Sequence, residues 1–162
     1  MGLKEELENL IRAARENLEA RDQKHSAFHD IQRARFAPLA AALSELAQAV
    51  EGAYLRLRLH DSSALLELGD ERDGHFHTDL RCEVQPNFET DFPADRGASL
   101  FREAPGYRIE ETQYFEYPEY DTSEHTAVFD EESKVAEYLA QKIAEHVAHR
   151  RHLAAIMLRR KG

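Results

Sequence analysis

One cysteine, seven glycines and no long apolar run set the first limits on this 162-residue chain. Cys82 stands alone, which excludes an internal disulfide and any zinc site built from cysteines, and favours a reducing, cytoplasmic setting. No stretch approaches the ~18 consecutive apolar residues of a membrane-spanning helix. The opening MGLKEELENL is charged from Lys4 onward and lacks the apolar centre of an export signal. The glycines fall into neither GxGxxG nor GxxxxGK[ST], so no phosphate-cradling loop is written in the chain. HExxH and GxSxG do not occur either, and Ser62, Ser63 and Ser99 lie in turn or loop segments without a nucleophile motif. An enzymatic reading therefore gets no support from motifs.

What is abundant is negative charge. The formal net charge is −10, which repels nucleic acid unless the charges are segregated. They are partly segregated. Residues 103–137 carry eleven acids against Arg108 and Lys134, a net of −9, whereas the last fourteen residues carry five bases and no acid. Nucleic-acid binding is thus disfavoured except through that basic C-terminal tail.

Apolar periodicity predicts one α+β domain over 1–162, with a helical segment 1–51, an antiparallel sheet 53–129 and a C-terminal helix 130–160. Leu3, Leu7, Leu10, Ala14 and Leu18 share one helix side, and a second stripe runs through Phe36, Leu39, Leu43, Leu46 and Val50. The polar stretch Glu19 to Ala27 separates them. A helical hairpin turning near Asp22 to Ser26 is the preferred expectation, with one long bent helix as the alternative. Pro38 should kink or restart the second stripe, and Gly52 suits its C-terminal end.

From Ala53 the period drops to two. Leu55, Leu57 and Leu59 alternate with polar residues, ALLEL (64–68) returns, and His75 to Val84 alternates again. Short connections imply a meander of four to five strands. The segment 85–106, with Pro86, Pro93, Pro105, Gly97 and Gly106, reads as a long loop, a feature that tends to be functional. Two further strands follow, and Asp130 reads as the N-cap of the last helix, whose buried row is Val135, Leu139, Ile143 and Val147.

Three sets of residues could act. His75, His77 and Asp79, followed by Arg81 and Glu83, fall on one side of a strand, opposite Phe76, Thr78, Leu80, Cys82 and Val84. With His60 and His125 nearby they would suit Zn²⁺ or Fe²⁺, while water-facing histidines are the plainer reading. His146, His149 and His152, beside Arg150 and Arg151, read as a solvated basic helix end. The segment 107–125 holds four of the six tyrosines among its acids. Tyrosine offers large contact area at small entropic cost, so Tyr114, Glu116, Tyr117, Glu119, Tyr120 and Asp121 are candidates for binding a basic protein partner.

The leading expectation is a non-enzymatic binding module, of the kind served by small acidic adaptors, chaperones, inhibitors or immunity proteins. A metal-dependent protein using the histidine row and a self-assembling protein using its N-terminal helices are the alternatives. The two stripes of the first fifty residues exceed what a small sheet needs, which favours a homodimer.

Overall fold

The computed structural model describes residues 2–50, 52–91, 100–116 and 119–161. Helix α1 (Leu3–Gln48) precedes strands β1 (Leu55–Leu59), β2 (Ala64–Arg72), β3 (His75–Asp91), β4 (Leu100–Phe115) and β5 (Asp121–Phe129), and helix α2 (Glu132–Lys161) closes the chain. The strands form one antiparallel sheet in sequential order, β1 to β5. This is the α+β meander that the periodicity predicts. Both helices lie on one sheet face. Leu55, Leu66, Leu68, Cys82, Val84 and Ile109 from the strands meet Phe36, Leu39 and Leu43 of α1 and Val135, Leu139, Ile143 and Val147 of α2. The other face is polar, and its cross-strand row Arg56, Glu67, Arg81 alternates in sign, an arrangement that favours pairing.

The preferred helical hairpin is not formed. α1 is one helix of 46 residues that passes through Asp22 to Ser26 without a break and holds an exposed Pro38 inside it. Its packed side explains why. His25, Phe28, Gln32, Arg35 and Phe36 are buried or half-buried at helical spacing, so the face that meets the sheet carries polar residues as well as leucines.

The expected loop at 85–106 is also mostly strand. β3 runs on to Asp91 and β4 begins at Leu100, with Phe88 opposite Glu103 and Thr90 opposite Phe101. Only 92–99 separate them, and these lie outside the described residues. The register shifts between Pro86 and Phe88, where the prolines fall. A bulge tolerates proline because the ladder needs no N–H there. Gly106 sits at the same place with φ +84°. A side chain at Gly106 would strike the carbonyl of Phe129.

Two polar residues of α1 lock this arm. The guanidinium of Arg35 donates to the carbonyls of Asn87 (3.1 Å), Ala104 (2.9 Å) and Gly106 (2.7 Å), and to Gln32 Oε1 (2.8 Å). Gln32, only 4% exposed, donates to the carbonyls of Pro86 and Asn87. The carbonyls freed by the bulge thus find donors on the helix, as partly buried backbone groups must. Farther out, Phe28 stacks on Phe101 at 5.8 Å and meets Phe88 edge-on at 6.4 Å.

α2 begins at Glu132, one residue later than an Asp130 cap predicts. Asp130 instead accepts a hydrogen bond from Lys134 at 2.9 Å, which holds its carboxyl below the usual range.

Two outcomes follow from this packing. Arg35→Ala takes the donor from the Ala104 and Gly106 carbonyls and leaves Asn87 with Gln32 alone, and chemical denaturation should show a loss on the order of 3 kcal/mol; an unchanged midpoint would contradict the lock. Cys82 is fully buried, and burial followed by the Glu111 charge pushes its thiol from 9.0 up to about 12. A thiol raised in the fold keeps its proton there longer than in the open chain. Its contribution is intact below about pH 9 and is lost as the pH climbs toward 12. A thiol reagent at about pH 8 should leave the native protein unmodified and label it only in denaturant.

Candidate functional site

The residues that converge do so because of a second bulge. Leu68 pairs with Leu80 and Gly69 with Thr78, so Asp79 has no opposite residue on β2. The extra residue reverses which side chains face the helices. Thr78 bonds Glu67 (2.8 Å) and Phe76 lies 4.5 Å from the Arg56 guanidinium, both on the open face. His77 pairs with Asp70 and His75 with Arg72, and Asp70 meets Arg150 of α2. The expected single row of His75, His77, Asp79, Arg81 and Glu83 is therefore broken. Its first three members belong to the helix side, while Phe76 and Thr78, expected with the core, do not. Cys82 and Val84 are buried as read, Leu80 is half-buried, and His75 and His77 are exposed. Gly69 is required at this bulge, since a Cβ there would collide with the carbonyl of His77. Its N–H donates to Tyr54 and its carbonyl bonds His146 at 2.8 Å.

Arg150 fixes α2 over the bulge. It contacts Asp70 at 3.3 Å and pairs with Asp79. These three side chains are 20–33% exposed. Beside them, a cleft of about 410 Å³ opens between α2 and strands β3 and β4. Glu111, Gln113 and Tyr114 form its floor, and Lys142, Glu145, His146 and His149 form its wall. Glu111 is only 8% exposed and accepts a hydrogen bond from the Tyr138 hydroxyl. Burial first, and then this bond, push the Tyr138 hydroxyl up, so it stays a donor. The Tyr138 ring rests against Phe129 at 5.0 Å.

A second cleft of about 330 Å³ adjoins the first and shares Asp79 and Tyr114 with it. Phe76, His77, Thr78, Glu116 and Tyr120 complete it. Of the six binding candidates, Tyr114, Glu116 and Tyr120 thus line one surface. Tyr120 is 74% exposed, and Glu116 reaches Arg72 at 3.7 Å. Glu119 and Asp121 are exposed at the β4–β5 turn, where Asp121 accepts the Thr122 N–H at 2.8 Å. Tyr117 lies outside the described residues.

The four histidines named as metal candidates are not gathered. His60 follows β1 and bonds the Ser63 carbonyl through its N–H, at the end of the sheet away from His75 and His77. His125 pairs with Glu111 on β5, two strands from β3. Among the described residues no group of three His, Cys, Asp or Glu side chains could hold a metal ion.

Sequence reading missed the α2 wall, having taken His146 and His149 as a solvated helix end. One signal was present. Tyr107, Ile109, Glu111 and Gln113 alternate onto one face, which sets a carboxylate in an apolar row. Chemically the joined clefts offer acids, bases and aromatic surface. Among the described residues no helix is long and apolar enough to cross a membrane. No protein-family model, curated protein or solved structure matches the chain.

Proposed function

We propose that the protein is a non-enzymatic binding module that captures a basic segment of another protein in the joined clefts between α2, β3 and β4. The observation that carries this reading is the position of Tyr114, which borders both clefts, with Tyr120 exposed at the outer one. Glu116, Glu119, Asp121 and Glu124 are exposed at the adjoining β4–β5 hairpin end. Acids at a rim speed encounter with a basic partner, and central tyrosines supply the affinity. The lone buried thiol of Cys82 supports a cytoplasmic setting. The exposed length of α1 supports action as a homodimer.

The test replaces Tyr114 and Tyr120 with alanine. Immobilised parent and Tyr114→Ala/Tyr120→Ala proteins are offered the same host lysate at low and high salt. The parent should retain a partner that the variant loses, with each tyrosine worth roughly 1–4 kcal/mol. Raising salt to about 0.5 M should release the same partner. Equal retention by a variant whose circular dichroism matches the parent would overturn the reading.

A further inference from the structure

Every described residue from Gly2 to Lys24 is exposed, although α1 is helical from Leu3. The exposed stretch includes Leu3 (86%), Leu7 (57%), Leu10 (63%), Ile11 (51%) and Leu18 (56%). These leucines extend the side of α1 that packs on the sheet, since Ile11, Leu18, His25, Gln32 and Leu39 recur every seven residues. The first contact with the sheet is His25 against Phe101. Residues 3–24 therefore project ~33 Å beyond it, at 1.5 Å per residue. A helix of that length with an uncovered aliphatic stripe is marginal in water, and packing normally supplies its stability.

A second projection exists. Beyond Arg150, α2 continues to Lys161, ~16 Å farther. It exposes Leu153 (37%), Met157 (59%) and Leu158 (71%). The two projections leave the body at opposite ends. α1 passes Phe101 and Gly106 on its way to Val50, which borders the same groove as Val147 and Arg151. α2 passes Glu111 and then Asp79. Both helices thus run in the direction of β4.

The two projections are also complementary. The tip of α1 carries Glu5, Glu6 and Glu8, and the tip of α2 carries Arg159, Arg160 and Lys161. Both present aliphatic residues next to those charges. Within one molecule they cannot meet. We infer that two copies associate side by side in antiparallel orientation, each laying the tip of α1 along the tip of the partner's α2. In such a pair the helices run antiparallel, so an acidic N-terminal turn faces a basic C-terminal turn and both dipoles are favoured. The register that sets Glu5 against Arg159 also sets Leu7 against Met157 and Ile11 against Leu153. A twofold axis uses each contact twice and closes the assembly. This rests on the homodimer reading above and specifies its interface; it is independent of the tyrosine clefts.

The single native cysteine is buried, so introduced cysteines report cleanly. Under mild oxidation, a mixture of Leu7→Cys and Met157→Cys proteins should form a crosslinked dimer of twice 18.6 kDa, while neither variant crosslinks alone. The double variant Leu7→Cys/Met157→Cys should stop at the dimer. A ladder of higher species would overturn the closed pair in favour of an open chain. Reversing Glu5, Glu6 and Glu8 to lysine should weaken association roughly tenfold or more, and reversing Arg159, Arg160 and Lys161 to glutamate in the same chain should restore it. A monomer by light scattering at ~100 μM would overturn both the homodimer and this interface. A dimer in which Leu7→Cys crosslinks to itself would overturn only the interface and leave the homodimer standing. Association that appears only with another protein or with lipid vesicles would overturn the self-pairing.

Discussion

The fold hangs on one guanidinium. Arg35 meets three backbone carbonyls from two strands, at the point where both strands break register. Without it the Ala104 and Gly106 carbonyls would lose the donor that α1 gives them, and Gln32 alone would serve Pro86 and Asn87, a costly state where water is excluded. With it, β3 and β4 can continue as an arm beyond the body of the sheet, and α1 is held against that arm. The contact thus ties α1 to both strands of the arm at their shared irregularity.

The second bulge works on the opposite end in a comparable way. The extra residue Asp79 breaks the alternation of β3 and brings a carboxylate to the helix side, where Arg150 spans it and Asp70. A half-buried cation between two carboxylates is a poor source of net stability but a positional device, because removing Arg150 would strand the Asp79 charge, whereas Asp70 keeps Arg72. Here it sets where α2 crosses the sheet, and so sets the width of the cleft above Glu111. Gly69 permits the close strand approach that the bulge needs. Candidate cleft and structural irregularity are therefore one feature: a regular β3 would have put Asp79 on the open face and left α2 without its anchor.

The strands and both ends of α2 were legible because their signal is binary. Leu55, Leu66, Cys82, Val84 and Ile109 alternate with polar residues and are buried, and Val135, Leu139, Ile143 and Val147 are the inner row of α2. Three things were not fully legible. A continuous α1 stood only as the alternative to a hairpin, because the stripe breaks at Glu19 to Ala27, a polar stretch that is exposed apart from half-buried His25 and stays helical with no sheet contact before it. The arm was hidden because Pro86, Pro105 and Gly106 are loop residues by composition yet sit at a bulge, the one place in a ladder that accepts them. The face reversal at Asp79 was hidden because it depends on Gly69 across the ladder, a pairing that a count along one strand does not contain. The candidate site divided along the same line. Tyr114 and Tyr120 stood out by type, while the histidines and Lys142 of the cleft wall gained meaning only when α2 was placed.

The direction of the two helices is a matter of parity. In an antiparallel meander with an odd number of strands, the first and last run the same way. α1 ends where β1 begins, and α2 begins where β5 ends, so both helices must run against those strands and parallel to each other. Four or six strands would have turned α2 around and brought both helix projections to one end. Five strands separate them, with acids at one tip and bases at the other. The same parity brings the β2–β3 and β4–β5 turns to the end from which α2 departs, so Arg72 can reach Glu116 and Tyr120 can border a cleft with His77. Strand count thus assigns the two ends different characters: one collects hairpin tips, tyrosines and the cleft, and the other carries the arm and the uncovered length of α1. The residues that line the clefts and those of the two helix tips therefore do not overlap.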